Sequence, residues 1–220
     1  MNTDSLPGLP DLQPGNIFCI GRNYAAHARE LNNPVPERPV IFTKSSSSLC
    51  YDGNVVIPAF VKEPHYETEV VAAISREGKN IPAGEALQHI AGYAVGIDVT
   101  ARDIQTELKE KSHPWFLAKS LDTFAPVSSF VSAAEIADPN NISFSLEVNG
   151  ERRQTGDTSL MLFPIDLLIA TLSKYVTLKP GDLIFTGTPE GVGQLHPGDH
   201  LHAELQQGLI TLDVIIAFEN

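Results

Sequence analysis

Short runs of β-branched and aromatic residues, separated by stretches rich in proline, glycine and asparagine, most restrict what this chain can fold into. They fall at Ile17–Ile20, Val40–Thr43, Val55–Ile57, Glu67–Ile74, Ala91–Asp98, Ser143–Val148, Leu183–Thr186, His200–Leu205 and Ile210–Phe218, with the length and composition of strands. Asn149-Gly150 directly after Leu146-Glu147-Val148 marks a two-residue hairpin turn, whose favoured form needs positive φ at both positions. Helical segments are fewer. Asn23 can cap Tyr24–Leu31, Pro82–Ile90 has proline in its first turn, Thr100-x-x-Asp103 reads as a capping box for Ala101–Lys111, and a longer helix spans about Pro164 to Tyr175. Strands do not alternate regularly with helices, which argues against a doubly wound sheet. The expected fold is mainly β, of the α+β kind, with short peripheral helices.

With 220 residues and 42% hydrophobic content, the chain can bury one core. The expected organisation is an irregular leader over residues 1–14, containing Pro7, Pro10 and Pro14, and a single domain over 15–220. A formal charge of −12 disfavours nucleic-acid and acidic-membrane surfaces. Cys19 and Cys50 lie beside apolar residues and form no C-x-x-C, so neither a zinc knuckle nor a disulfide framework is indicated. The N-terminus has no basic start or apolar stretch typical of an export signal. No apolar run approaches the roughly 18 residues that span a bilayer. A cytoplasmic protein with neither nucleic acid nor membrane as partner is expected.

Three carboxylates carry most of the chemical information: Glu67 and Glu69 in His65-Tyr66-Glu67-Thr68-Glu69, and Asp98 at the end of the apolar run Ile90–Ile97. On a strand, side chains at i and i+2 share a face about 6.6 Å apart. Two like charges there repel by about 2.5 kcal/mol at an effective dielectric of about 20. A cation between them relieves that repulsion, and an all-carboxylate set suits a hard ion such as Mg²⁺ or Mn²⁺. The competing reading is the solvated face of an edge strand. Val71 and Ala73 continue the Glu69 face and point it inward.

Other constellations each carry two readings. His27 and Glu30, at i and i+3 on one helix face, form either a carboxylate-supported general base or an exposed pair, with Arg22 and Arg29 as competing partners for Glu30. Lys119 follows an apolar run holding the only tryptophan, Trp115. It either balances an anionic substrate or developing enolate or snorkels to the surface. Lys44 closes the run Val40–Thr43 and raises the same question. Thr186-Gly187-Thr188-Pro189-Glu190-Gly191-Val192-Gly193 is no P-loop. It is either a tight structural turn or an anion nest whose N–H groups and Thr188 hydroxyl bind a carboxylate. His113, His196, His200 and His202 have no metal-ligand company and read as surface or structural residues.

Taken in order, Gly21-Arg22-Asn23-Tyr24-x-x-His27-x-x-Glu30, His65-x-Glu67-x-Glu69, Gly96-x-Asp98-x-Thr100-x-Arg102-Asp103-x-Gln105, Pro114-Trp115-x-x-Ala118-Lys119-Ser120 and the glycine-rich turn resemble the fumarylacetoacetate hydrolase superfamily. The resemblance runs from about Ile17 to the C-terminus and is greatest to its small single-domain acylpyruvases. It implies a mixed β-sandwich roll, usually homodimeric. Glu67, Glu69 and Asp98 would bind Mg²⁺ or Mn²⁺, and His27 with Glu30 would activate water. Lys119 would stabilise the reacting oxygen, with Arg22, Lys44, Gln105 and Thr188 holding a small 2-oxo acid. The implied activity is hydrolysis of the C–C bond of 3-acylpyruvates such as acetylpyruvate or fumarylpyruvate, with oxaloacetate decarboxylation as a companion reaction. The alternatives are an isomerase or tautomerase of oxaloacetate or of a 2-hydroxy-dienedioate, and a non-catalytic binding protein. His113 before Pro114-Trp115, Leu121 after Lys119-Ser120, and Ser45 after Lys44 depart from the family's common residues, in loops near the expected substrate tail.

Overall fold

A computed structural model describes residues 5–30 and 34–219. Every expected strand forms, with ends shifted by a residue or so. The principal sheet has six strands in the order Val131–Ser132, Ile90–Ile97, Thr68–Ile74, Leu183–Phe185, Ile17–Gly21 and Val40–Lys44. It is antiparallel except where Ile17–Gly21 runs parallel to Leu183–Phe185. A second sheet of five strands runs Glu151–Asp157, Ser143–Val148, His200–Leu205, Ile210–Phe218 and Asn54–Ile57. The strand Glu151–Asp157 is the hairpin partner of Ser143–Val148. Its turn has φ of 53° at Asn149 and 79° at Gly150, as the dipeptide requires. That partner strand is invisible in the sequence because Glu151, Arg152 and Arg153 at the sheet edge face solvent.

The main core lies between the two sheets. Val70, Ala72 and Ile74 from one meet Phe144, Leu146, Leu201 and Val214 from the other, and the helix Ile165–Tyr175 closes one side with Leu168 and Ile169. Alternation then sends Val71 and Ala73 to the opposite face, into a second apolar cluster with Ile17, Cys19 and Phe185. Leu6 belongs to that cluster too. The strand Thr68–Ile74 is thus buried on both faces, and Glu69 shares a face with apolar neighbours. Its cross-strand partner is Gly96.

Three helix details differ from expectation, the first two because a polar side chain found a tertiary partner. Asn23 does not cap a helix. Its amide donates to Thr186 O at 2.8 Å and Phe163 O at 3.0 Å and accepts from Phe163 N at 2.9 Å. The helix it precedes is Ala25–Glu30, and Leu31 lies outside the described residues. Thr100 and Asp103 form no capping box. The helix Arg102–Glu110 has no side-chain cap, because Thr100 accepts a hydrogen bond from Lys119 and Asp103 takes the Lys62 N–H. The segment after Pro82 splits into Ala83–Ala86 and a 3₁₀ turn, Leu87–His89. No helix among the described residues is long and apolar enough to cross a membrane.

Candidate active site

The two strands that meet at Thr68↔Ile97 deliver the acidic residues. Just beyond that pair the Asp98 N–H donates to Glu67 O at 2.7 Å, so the two side chains emerge together at the strand ends. Ligand oxygens of Glu67, Glu69 and Asp98 all lie within 4.8 Å of one another, and all three residues are buried. The triad is a cluster in the core, not a solvated edge.

Three cations surround it. Lys119 Nζ donates to Asp98 Oδ2 at 2.6 Å, Glu67 Oε2 at 2.9 Å and Thr100 Oγ1 at 2.6 Å. Arg102 pairs with Glu67 Oε1 through Nη2 and donates to Gln105 Oε1 at 2.6 Å through Nη1. Lys44 Nζ sits 2.8 Å from Asp98 Oδ1. These environments push the two glutamates apart. Burial raises the Glu67 pKa, but Lys119 and Arg102 outweigh it and hold the carboxyl well below its usual range. Burial, together with the Asp98 and Glu67 charges, drives Glu69 well above that range, against the Gly187 N–H at 2.7 Å and the Lys119 charge. Burial likewise acts to lower Lys119, but Asp98 and Glu67 reverse the sign and keep it charged.

The donor set suits a hard divalent cation. Two donors that would hold one such ion at about 2.1–2.6 Å can stand no more than about 4.2–5.2 Å apart, and the triad's oxygens lie within 4.8 Å of one another. Asp98 Oδ1 accepts no hydrogen bond although Lys44 is near. The Lys44 protons go instead to the carbonyls of Val99 at 3.0 Å, Phe124 at 2.8 Å and Lys119. An oxygen with an unused lone pair and a buried, under-solvated Glu69 are what a cation would satisfy.

Lys44, expected to hold the substrate, does not line the pocket. Its ammonium is fully buried behind Asp98 and its donors are spent on backbone, so it anchors the triad from below. The other expected residues do meet. Arg22, His27, Glu67, Glu69, Gln105, Lys119 and Thr188 line one pocket, with Asp98 and Glu30 beside it. His27 is buried, and its Nδ1 lies 3.3 Å from Glu30 Oε2. An ionised carboxylate only accepts, so Nδ1 carries the proton and Nε2 is left with a lone pair.

The glycine-rich turn is an anion nest, and the anions are the chain's own. Gly187, at φ 106°, turns its N–H onto Glu69. Gly191, at φ 92°, gives its N–H to Glu30 at 3.0 Å. A side chain at either position meets both a strained backbone and a wall: an added Cβ lies 2.7 Å from Asn23 Cβ at Gly187 and 2.1 Å from Arg153 O at Gly191. Gln154, which sequence reasoning missed, ties this turn to the triad. It accepts from Thr68 N at 3.0 Å and donates to Thr188 Oγ1 at 2.8 Å and Pro189 O at 3.0 Å. Arg102, Lys109 and Trp115 also line the pocket. Arg102 stood within a recognised motif without a role.

This architecture, two packed sheets with a buried carboxylate triad and a histidine–glutamate pair at one pocket, is that of an enzyme with an acidic cluster able to hold a divalent cation. The chain belongs to the fumarylacetoacetate hydrolase family, whose C-terminal domain model matches residues 16–215. It is 44% identical over 198 residues to the mitochondrial oxaloacetate tautomerase FAHD1 of Bos taurus, covering 90% of this chain and 89% of the relative. The fumarylpyruvate hydrolase of Pseudomonas aeruginosa, solved with Mn²⁺ and pyruvate, superposes with a TM-score of 0.88 at 36% identity, over 94% of this chain and 91% of that one. A 5-carboxymethyl-2-hydroxymuconate delta-isomerase from Mycobacterium smegmatis gives 0.84 at 35% identity, over 98% and 83%. The family level thus includes hydrolases and isomerases alike.

Proposed function

We propose that this enzyme is a divalent-metal-dependent hydrolase that cleaves the C–C bond of 3-acylpyruvates, giving pyruvate and a carboxylic acid. The observation that carries the reading is the His27–Glu30 pair facing the same pocket as the triad. Glu67, Glu69 and Asp98 would hold Mg²⁺ or Mn²⁺, which when bound supplies Lewis acidity toward the carboxylate and 2-oxo oxygens of the substrate.

The chain's own groups account for the rest. His27 Nε2 takes a proton from water as the oxygen adds to the carbonyl carbon distal to the 2-oxo group, and Glu30 stabilises the imidazolium. The bond from that carbon to C3 then breaks, its electron pair passes into the enolate of pyruvate, and His27 returns the proton to C3. Lys119, kept charged by its carboxylate neighbours, faces the developing oxyanion. Gln105 and Thr188 orient the substrate, and Arg22 adds positive charge at the pocket. The site's charges also fit an anion: the three carboxylates are equalled in number by Lys44, Lys119 and Arg102, which pair with Glu67 and Asp98 and leave Glu69 without a cation. A divalent cation therefore leaves an excess positive charge. A homodimer in the cytoplasm belongs to the same proposal, and light scattering of the eluted protein tests its first part.

The likeness to the Bos taurus tautomerase favours a second reading, keto–enol tautomerisation of oxaloacetate. It uses the same enolate and the same His27 proton shuttle without added water. Turnover of acetylpyruvate, fumarylpyruvate and oxaloacetate with Mg²⁺, in the native protein, His27→Ala and Glu67→Ala, separates the two. Pyruvate released from an acylpyruvate and lost in both variants supports hydrolysis. Ultraviolet enol decay of oxaloacetate with no acylpyruvate cleavage replaces that reading with the tautomerase.

A further inference from the structure

Two cations in the pocket have no carboxylate partner among the described residues. Arg102 is neutralised by Glu67, but Arg22 and Lys109 pair with no acid. The other lysines and arginines without an acidic partner are exposed, whereas Arg22 and Lys109 are partly buried at the pocket. Lys109 is half-buried on the helix Arg102–Glu110, with its ammonium 5.4 Å from the centroid of the Trp115 ring. That ring is itself fixed edge-on against Phe42, with centroids 5.5 Å apart, so the platform holds Lys109 at the pocket instead of letting it extend into water. Arg22 sits at φ 59°, a left-handed conformation that glycine adopts without cost and arginine does not. Keeping an arginine there makes sense if its side chain is needed.

Both residues line the pocket, and neither pairs with a carboxylate of the triad. Burial and the nearby Arg102 and Arg22 charges lower the Lys109 pKa to about 8, the mark of a positive field awaiting an anion.

We propose that Lys109, held over Trp115 and working with Arg22, is a specificity-determining residue that receives a second carboxylate of the substrate. The enzyme then prefers dicarboxylic 2-oxo acids to monocarboxylic ones. In the acylpyruvate series the favoured acyl group ends in a carboxylate, and acetylpyruvate is the poorer substrate. This rests on the 2-oxo acid reading of the site, and its test is arranged so that the two fail separately.

Binding is measured by calorimetry in the presence of Mg²⁺, with pyruvate as the monocarboxylate and 2-oxoglutarate as the dicarboxylate, for the native protein, Lys109→Met and Lys109→Arg. A lost charge-assisted contact weakens 2-oxoglutarate by about 10- to 100-fold in Lys109→Met. Pyruvate changes by less than about twofold, and Lys109→Arg recovers most of the loss. The same variants assayed with fumarylpyruvate and acetylpyruvate should show a KM rise confined to the dicarboxylate, with kcat nearly unchanged. Equal weakening of both ligands, or of neither, overturns the role of Lys109. Selective weakening of 2-oxoglutarate in a protein that turns over no acylpyruvate or oxaloacetate upholds it and refutes the reaction instead.

Discussion

Replacing Lys44 by methionine removes a charge from the floor of the site while nearly keeping its volume. The ammonium is fully buried, lies 2.8 Å from Asp98 Oδ1 and donates to three carbonyls. Without it Asp98 keeps only Lys119, and three backbone oxygens lose a partner. Breaking a buried ion pair from one side costs about 3–5 kcal/mol, which in a chain of this size lowers Tm by about 6–20 °C. Part of that loss should return with Mg²⁺, because the triad, now one charge more negative, binds a cation more tightly. Differential scanning fluorimetry with chelator and with millimolar Mg²⁺ measures both effects, and far-ultraviolet circular dichroism checks that the variant is folded. A Tm within about 2 °C of the native protein, combined with a raised KM, would refute the supporting role and return Lys44 to the substrate.

Other residues give sharper local tests. Asn23→Ala strips three hydrogen bonds that tie the His27 helix to Phe163 and Thr186; about 2–4 kcal/mol of stability should be lost in urea unfolding. Gln154→Leu cuts the link from Thr68 N to Thr188 and Pro189. We expect kcat to fall about tenfold with the circular dichroism spectrum unchanged, and unaltered kcat would show that the turn positions itself. His202, hydrogen-bonded by Asp213 and Glu204, has its pKa raised above the ordinary 6.5. A raised imidazole pKa stabilises the fold fully below 6.5, and that contribution is lost as pH climbs through the higher folded value. His202→Gln should therefore flatten the fall in Tm between about pH 6 and 8, and an unchanged slope would assign it to other groups.

Much of this molecule was legible in one dimension because its signals are local. Alternation and β-branching placed the principal strands, and Asn149-Gly150 placed a hairpin turn through the backbone conformation those residues tolerate. Glu67-x-Glu69 with Asp98 after an apolar run pointed to a cation-binding cluster, since like charges facing inward need a counter-charge. Where short-range patterns misled, a polar side chain had been claimed by a partner far along the chain. Asn23 and Thr100 look like caps, yet bind Thr186 and Lys119. Gln154 carries no pattern at all, being one glutamine on an edge strand after three exposed charged residues.

Charge pairing was the part that only the tertiary structure decided. Lys44 and Lys119 each end an apolar run and read alike in sequence. Their fates were set by depth: Lys44 passes beneath Asp98 into backbone carbonyls, whereas Lys119 reaches the pocket and bridges Glu67 to Asp98. The residue types and their spacing determined that carboxylates and cations would be near one another. Which oxygen kept a free lone pair, and which cations at the mouth lacked an acid, depended on packing across the two sheets, because Coulomb and hydrogen-bond energies turn on ångströms of separation and on exclusion of water, neither of which is written in residue order.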